Sequence, residues 1–212
     1  MSESQARRRL DPAERRELIL EEALRLFEAN PFSAISMRQI AAACGVNMAL
    51  LYHYFANKEE LVRETLRYAI DGFLAEFVAH PAERDAPLGA ADAWLTATIS
   101  SAPSVRRMTK LISDLLAAGN RDAEGQKMVD DFYARERDVL ETAIIDGINE
   151  GRFRKVDTAR TARLASIALD GIFYAGPSRN DFAFEQNIRD LRDQLLDYLS
   201  PYGESAKLNK IR

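Results

Sequence analysis

The sequence is poor in the residue types that form covalent cross-links and metal sites. Its 212 residues include a single cysteine, Cys44, so no disulfide can form within the chain. One cysteine and two histidines argue against a structural zinc site. No apolar run approaches the ~20 residues that span a membrane, and the basic N-terminal stretch lacks the apolar segment of a signal peptide. We therefore expect a cytoplasmic protein that holds no metal and no other cofactor.

Motifs that would indicate an enzyme are also missing. The chain contains no G-x-G-x-x-G, no P-loop and no H-E-x-x-H. His53 lies within a predicted helix of a candidate binding segment, and His80 precedes a proline in a predicted loop, so neither fits a catalytic base. We therefore expect no catalytic residues, although an enzyme is the main alternative from a different functional class.

Acidic residues are absent from one stretch, Ala29 to Lys58, although the chain contains 33 of them. A net charge of −4 argues against a protein that coats nucleic acid in general. A surface built from this stretch would nevertheless not repel phosphates. Any contact with DNA should therefore be local.

Helical periodicity runs through almost the whole chain, and no alternating pattern predicts a strand. Capping residues, glycines and prolines divide it into about nine helices. The first five predicted helices run over Asp11–Asn30, Ser36–Gly45, Met48–Phe55, from Lys58 past Phe77, and over about Leu88–Ser101. The sixth lies between Ser104 and Ala118, the seventh runs from Asn120 to Glu150, and the last two span about Thr158–Ala175 and Phe182–Leu199. The predicted breaks are His80–Pro87, Ala102–Ser104, Ala118–Asn120, Gly151–Asp157 and Gly176–Pro177. The pattern predicts an all-α protein.

The second and third predicted helices form a candidate helix-turn-helix. Ser36 and Gln39 suit a capping box, and Gly45 suits the positive φ that ends the second helix. In the third helix Leu51 and Phe55 share an apolar face, as a recognition helix requires. The side chains of Met48, Ala49, Tyr52 and His53 then lie on the opposite face. Periodicity alone is equally consistent with an ordinary helical hairpin in a bundle.

The wider sequence resembles the DNA-binding domain of the TetR family. The matching strings are MRQIAAACGV (37–46), LYHYF (51–55) and NKEEL (57–61), in the family's order and spacing, and the similarity covers about residues 11–66. The resemblance implies a helix-turn-helix domain over residues 1–57, of which 1–10 form a flexible arm, and a ligand-sensing and dimerisation domain over 58–212. It implies a transcriptional repressor that a small organic effector releases from a palindromic operator in double-stranded DNA.

The resemblance also implies roles for individual residues. Arg38 would reach a base or a phosphate, Tyr52 and Lys58 would bind phosphates, and Met48 and Ala49 would meet bases. The full set of expected DNA-binding residues is Arg38, Asn47, Met48, Ala49, Tyr52, His53, Tyr54 and Lys58. A solvated Arg38 and a partly buried Tyr52 are the alternatives. Leu50 and Asn47 depart from the family pattern, which commonly has a small residue and a serine there, so no relative's operator can be transferred.

Two further features of the N-terminal region are open at this point. Cys44 stands where the family usually has alanine, and we expect a structural role, because no adjacent cation would lower its pKa. Arg7, Arg8 and Arg9 form a basic cluster that suits either a minor-groove arm or a solvated tail.

The last two predicted helices resemble the family's dimerisation pair. Their apolar seams would pack against a second copy as a four-helix bundle. The expected dimer interface consists of Ala165, Leu169, Ile172, Ile188, Leu191, Leu195 and Leu199. The alternative is that both seams face the chain's own core.

The resemblance further implies an effector pocket between the fourth and eighth helices. Its expected wall consists of Phe73, Phe77, Trp94, Met108, Phe132 and Phe173. Ordinary core packing is the alternative for each of these residues. An architectural DNA-binding protein with no effector is the second alternative function, although the long C-terminal half argues against it.

Overall fold

All the regular secondary structure in the residues that the structure describes is helical. The computed structural model describes residues 11–79, 86–117, 123–175, 179 and 183–201, and of 116 and 117 only the backbone. This part contains nine α-helices, one 3₁₀ turn at Phe32–Ala34 and no strand. The α-helices are α1 (Pro12–Ala29), α2 (Met37–Ala43), α3 (Met48–Tyr54), α4 (Lys58–Ala79), α5 (Ala90–Ser100), α6 (Ala102–Ala117), α7 (Ala123–Asn149), α8 (Thr158–Ala175) and α9 (Phe184–Leu199). The predicted all-α class is confirmed.

The predicted start and stop signals of the first helices are present as hydrogen bonds. The amide of Glu14 donates to Asp11 Oδ1 at 2.8 Å, and the amide of Asp11 donates to Glu14 Oε2 at 3.0 Å. Ser36 and Gln39 form the same reciprocal box at the start of α2. Gly45 ends that helix with a φ of 63°, a conformation that strains any residue with a Cβ. These local signals determine where α1 and α2 begin and where α2 ends.

Some predicted boundaries differ from the structure. The predicted break at Ala102–Ser104 is wrong, because α6 begins at Ala102 and directly follows Ser101. Pro103 lies in the first turn of α6, where a helix needs no amide hydrogen from it. Helix α5 begins two residues later than predicted. The predicted breaks at 118–120 and 176–177, and residues 80–85 of the break before α5, lie outside the described residues.

Two apolar clusters hold the helices together. The first joins α1, α2, α3 and α4 to α5, α6 and α7, and it includes Phe27, Leu51, Phe73 and Trp94. The second joins α5, α7, α8 and α9, and it includes Leu95, Ile144 and Leu169. Helix α4 packs against α1 and also against α5, α6 and α7. It thus links the helix-turn-helix to the rest of the chain, and α6 also packs against α1.

The seams chosen for dimerisation point into the chain's own core. Leu169 is 1% exposed and Ile188 and Leu199 are fully buried, while Ala165 and Leu195 are also buried. Ile172 and Leu191 are partly buried against the same cluster. Buried side chains leave no surface for a second copy, so the five buried residues serve the chain's own core, while Ile172 and Leu191 stay predictions for the dimer surface.

The structure adds one finding about membranes. Over the described ranges, no helix combines the length and the apolarity that crossing a bilayer requires.

Candidate DNA-binding surface and effector cavity

Helices α2 and α3 present a polar surface and hide an apolar one. Leu51 and Phe55 are fully buried against α1 and α2, while Ala49, Tyr52 and His53 are exposed. Met48 differs from the expectation, because it is partly buried against the core. Tyr52, about half exposed at 49%, is the largest side chain that the outer face of α3 offers to a ligand.

The other expected DNA-binding residues surround this face. Arg38 is exposed on α2. Asn47 uses its side-chain oxygen to cap α3, accepting from the amide of Leu50 at 2.8 Å, so its amide group is what a base could contact. Tyr54 is partly buried, and its ring centroid lies 5.3 Å from that of His53.

Lys58 connects the start of α4 to the segment that precedes α2. Its Nζ donates to the carbonyl of Ser33 at 3.3 Å and lies 5.6 Å from the centroid of the Phe32 ring. Burial lowers the pKa of Lys58. The lysine therefore stabilises the helix-turn-helix as well as adding positive charge beside the N-terminus of α4.

Acidic groups at the start of α4 are turned back toward the backbone. Glu60 accepts from the amide of Ala56 at 2.6 Å, and Asn57 accepts from the amide of Glu60 at 2.8 Å. One carboxylate is thereby held in a capping role beside Lys58. The surface from α2 to the start of α4 therefore offers a small number of positions that could bind a DNA phosphate. This agrees with the expectation that any DNA contact is confined to this segment.

Cys44 lies at the C-terminal end of α2 and is partly buried. Burial raises the pKa of the thiol to about 11. At neutral pH the group is therefore a thiol and a poor nucleophile, which agrees with the structural role expected for it. Arg7, Arg8 and Arg9 lie outside the described residues.

Aromatic rings meet between α4, α5 and α7. Trp94 lies 4.9 Å from Phe73, 5.0 Å from Phe77 and 5.8 Å from Phe132, measured between ring centroids. Beside them is a cavity of about 10 Å³. Five of the six expected effector residues line the cavity. The sixth, Phe77, does not line it but contacts Trp94. The lining consists of Phe73, Trp94, Thr98, Val105, Met108, Thr109, Phe132, Tyr133, Glu136, Asp170 and Phe173.

A buried carboxylate in this wall escaped the sequence analysis. Glu136 is 5% exposed. It accepts from Trp94 Nε1 at 3.2 Å and from Ser166 Oγ at 2.5 Å. Burial raises the pKa of Glu136 to about 7, against the effect of these two hydrogen bonds. Its position four residues after Phe132, on the apolar face of α7, is the signal that could have revealed it.

A second carboxylate lies at the edge of the cavity. Burial raises the pKa of Asp170, and interaction with Tyr133 lowers it in part. Asp170 and Tyr133 also line a neighbouring surface cleft of about 310 Å³. The two residues therefore stand between the cleft and the cavity. Within the described ranges, no group of three or more His, Cys, Asp or Glu side chains is arranged to hold a metal ion.

Known proteins share both parts of this architecture. The family model for "Bacterial regulatory proteins, tetR family" matches residues 19–65, the segment that carries α2, α3 and the start of α4. AibR, solved in complex with isovaleryl coenzyme A and operator DNA, superposes with a TM-score of 0.66 at 26% identity, over 89% of this chain and 99% of its own. The chain therefore resembles the TetR family in its DNA-binding segment and in its overall fold.

Curated TetR-family relatives are regulators of transcription. UidR of Escherichia coli K12 is 25% identical over 147 residues, which are 69% of this chain and 73% of UidR. The repressor KstR2 of Mycobacterium tuberculosis H37Rv is 38% identical over 76 residues, 33% of this chain and 38% of KstR2. This chain is accordingly a helix-turn-helix transcriptional regulator that binds DNA.

Proposed function

We propose that the chain is a homodimeric repressor that leaves a palindromic operator when a small organic effector occupies the cavity beside Trp94. One observation carries the proposal: α4 begins at the helix-turn-helix with Lys58 and forms the cavity wall with Phe73. Fifteen helical residues separate the two, or ~22 Å. A change at the cavity can therefore reach the DNA-binding surface along one continuous helix.

The proposed DNA contacts follow the exposure of the side chains. Ala49 and His53 of α3 would enter the major groove, with the amide of Asn47 and the outer part of Met48, and Tyr52 would bind a phosphate. Arg38 would read a guanine or a phosphate, since a guanidinium suits both. Tyr54 and Lys58 would lie along the phosphates. We retain 1–57 as the DNA-binding unit on this basis.

The proposed dimer surface is the outer face of α8, opposite the buried seam. Leu164 is 53% exposed, Ile167 57% and Tyr174 43%. Together with Gly171 they are spaced three and four residues apart and form one stripe along the helix. On α9, Tyr198 is exposed and Leu191 partly exposed. Two such faces related by a two-fold axis would form a four-helix bundle.

Helix α6 supplies a second connection between the cavity and the DNA-binding unit. Met108 and Thr109 line the cavity. From the same helix, Lys110 Nζ donates to the carbonyl of Asn30 at 3.2 Å, and Arg107 lies 3.7 Å from Glu28. An effector that shifts α6 would therefore pull on the end of α1. Coupling of ~1–3 kcal/mol is typical of such switches.

A non-catalytic regulator in the cytoplasm is the proposal that fits these features best. The relatives named above are regulators, and His53 is exposed on α3, the candidate recognition helix. An architectural DNA-binding protein would need no aromatic cavity with a buried carboxylate in its C-terminal half. A buried acid without a cation destabilises a fold, which favours a role for this one in ligand binding.

Selection from a random pool of duplexes tests the proposal. Purified protein should enrich a two-fold symmetric sequence with half-sites about one helical turn, ~34–36 Å, apart. The variant Tyr52→Ala should lose the enrichment, whereas Arg189→Ala, an exposed arginine on α9, should retain it. Recovery of unrelated sequences by the wild type would contradict the proposal. The effector part of the proposal is then tested with metabolites. It predicts that at least one of them raises the melting temperature of the protein and weakens its binding to the selected duplex.

A further inference from the structure

The cavity beside Trp94 combines aromatic rings with a carboxylate that has only neutral partners. Glu136 receives hydrogen bonds from an indole N–H and a hydroxyl. The cation that acts on it, Arg137, is the next residue along α7 and is exposed. A carboxylate buried in this way lacks a counter-ion. The site is therefore electrostatically suited to a positive charge.

The rings around Glu136 suit the same kind of ligand. Phe73, Trp94 and Phe132 are mutually edge-to-face or tilted, with centroids 4.9–5.8 Å apart. Aromatic faces attract a cation most strongly when it is removed from water, and Trp is the strongest of them. Trp94 is fully buried, and its N–H binds the carboxylate. The carboxylate thus lies at the N–H edge of the indole, in the same cavity wall as the three rings.

The neighbouring cleft offers a route to this point. It measures about 310 Å³ and is lined by Asp130, Tyr133, Arg137, Arg163, Ser166, Ile167 and Asp170. Ser166 lines the cleft, and its hydroxyl donates to the buried carboxylate of Glu136, so this one side chain lies between the cleft and the carboxylate. The cleft carries two acids and two arginines, so it does not select one sign of charge. Selection by charge must occur further inside, at Glu136 and Asp170.

We propose that the effector is an organic cation whose charged group binds between the Glu136 carboxylate and the rings of Phe73, Trp94 and Phe132. This assignment rests on the effector-responsive function proposed above and specifies its ligand class. The cavity encloses only about 10 Å³, so the side chains that line it must move apart to admit a ligand. The raised pKa of Glu136, about 7, agrees with a carboxylate that a cation would stabilise in its charged form.

Three probes that share one phenyl ring test the ligand class by calorimetry on the full chain. They are 2-phenylethylammonium, 2-phenylethanol and 3-phenylpropanoate. The ammonium should bind on the order of tenfold more tightly than the alcohol, and the carboxylate should bind most weakly. Equal affinity of the ammonium and the alcohol, tighter binding of the carboxylate, or no binding of the ammonium would overturn the assignment.

The variant Glu136→Gln locates the charge that is responsible. A glutamine can still accept from Trp94 and donate to Ser166, so the fold should persist, as an unchanged or higher melting temperature would show. The preference for the ammonium over the alcohol should fall roughly to parity, with the alcohol's affinity unchanged. The matched control is Glu141→Gln, also on α7, where the carboxylate accepts from Thr158 Oγ1 at 2.8 Å. An unchanged preference in Glu136→Gln would overturn the assignment.

Binding to the selected duplex separates this inference from the proposed function. If a neutral or acidic compound releases the duplex while the ammonium does not bind, the ligand class is wrong and the repressor function stands. If no specific duplex is found, the repressor function is wrong, whatever the probes do.

Discussion

At the scale of single residues, Glu136 is distinguished by a carboxyl group that is buried and has no ion-pair partner in the described chain. Most other acids of the described chain lie at the surface, and Asp92, the other buried acid, pairs with Arg192 at 2.5 Å. Glu136 has hydrogen bonds but no such ion pair. Asp92 therefore joins α5 to α9 through an ion pair. Glu136, in contrast, has only neutral hydrogen-bond donors as partners.

The stability of the protein should depend on pH through Glu136. Its pKa is raised from 4.5 to about 7, so the folded state keeps a proton that the unfolded state loses. The protonated Glu136 contributes fully to the free energy of unfolding below about pH 4.5, and this contribution is lost as the pH rises through about 7. Relative to wild type, Glu136→Gln should gain up to ~3 kcal/mol of unfolding free energy between about pH 5 and pH 8. Denaturant unfolding at several pH values measures this, and a gain that does not vary with pH would contradict it.

A second residue-scale prediction concerns Arg38. Its side chain is exposed, so replacement by alanine should leave the melting temperature unchanged. If Arg38 reads a base, Arg38→Ala should cost ~1–3 kcal/mol on the selected duplex and relax one position of each half-site. Anisotropy titrations on duplexes mutated at each position measure this. An equal loss on every duplex would instead make Arg38 a phosphate contact.

At the scale of helices, α8 has two apolar faces with different tasks. Ala165 and Leu169 face the chain's own core, and Leu164 and Ile167 face outward. Both stripes follow helical spacing, so periodicity alone cannot say which one meets a partner. The choice depends on how α8 packs against α7 and α9, which local sequence does not encode.

The two faces of α8 predict opposite outcomes for one kind of substitution. Leu164→Glu adds a charge to an exposed position and should dissociate the dimer while each protomer stays folded. Leu169→Glu places the charge in the core, where an unpaired carboxylate costs several kcal/mol, so the protomer should unfold or melt far lower. Sedimentation velocity and circular dichroism distinguish these results. A dimer that survives Leu164→Glu would exclude the proposed face.

Local signals predicted the helices well, and long-range contacts set the limits of prediction. The capping boxes at Asp11 and Ser36 and the turn at Gly45 depend on neighbours within a few residues, and all three are present. The sequence predicts a break at Pro103 because the neighbouring residues do not show that α6 already begins at Ala102. Glu136 was missed because its partners, Trp94 and Ser166, are 42 and 30 residues away.

At the scale of the whole molecule, the chain connects two sites through shared helices. The first apolar cluster includes residues of every helix from α1 to α7, so the DNA-binding unit and the cavity share one core. Thermodynamic linkage then requires DNA and effector to weaken each other's binding by the same factor. An effector that binds equally well with and without operator would reduce the C-terminal part to a dimerisation module.

The most direct test of the central claim is a competition titration. The duplex selected by the protein competes with one of the same length in which a half-site is scrambled. We predict one dimer per palindrome, binding at least ~10³-fold more tightly than to the scrambled duplex. The affinity should also fall ~10³–10⁵-fold between about 50 and 200 mM salt if the dimer contacts roughly 6–10 phosphates. Equal affinity for the two duplexes, or an affinity that salt does not change, would contradict the account.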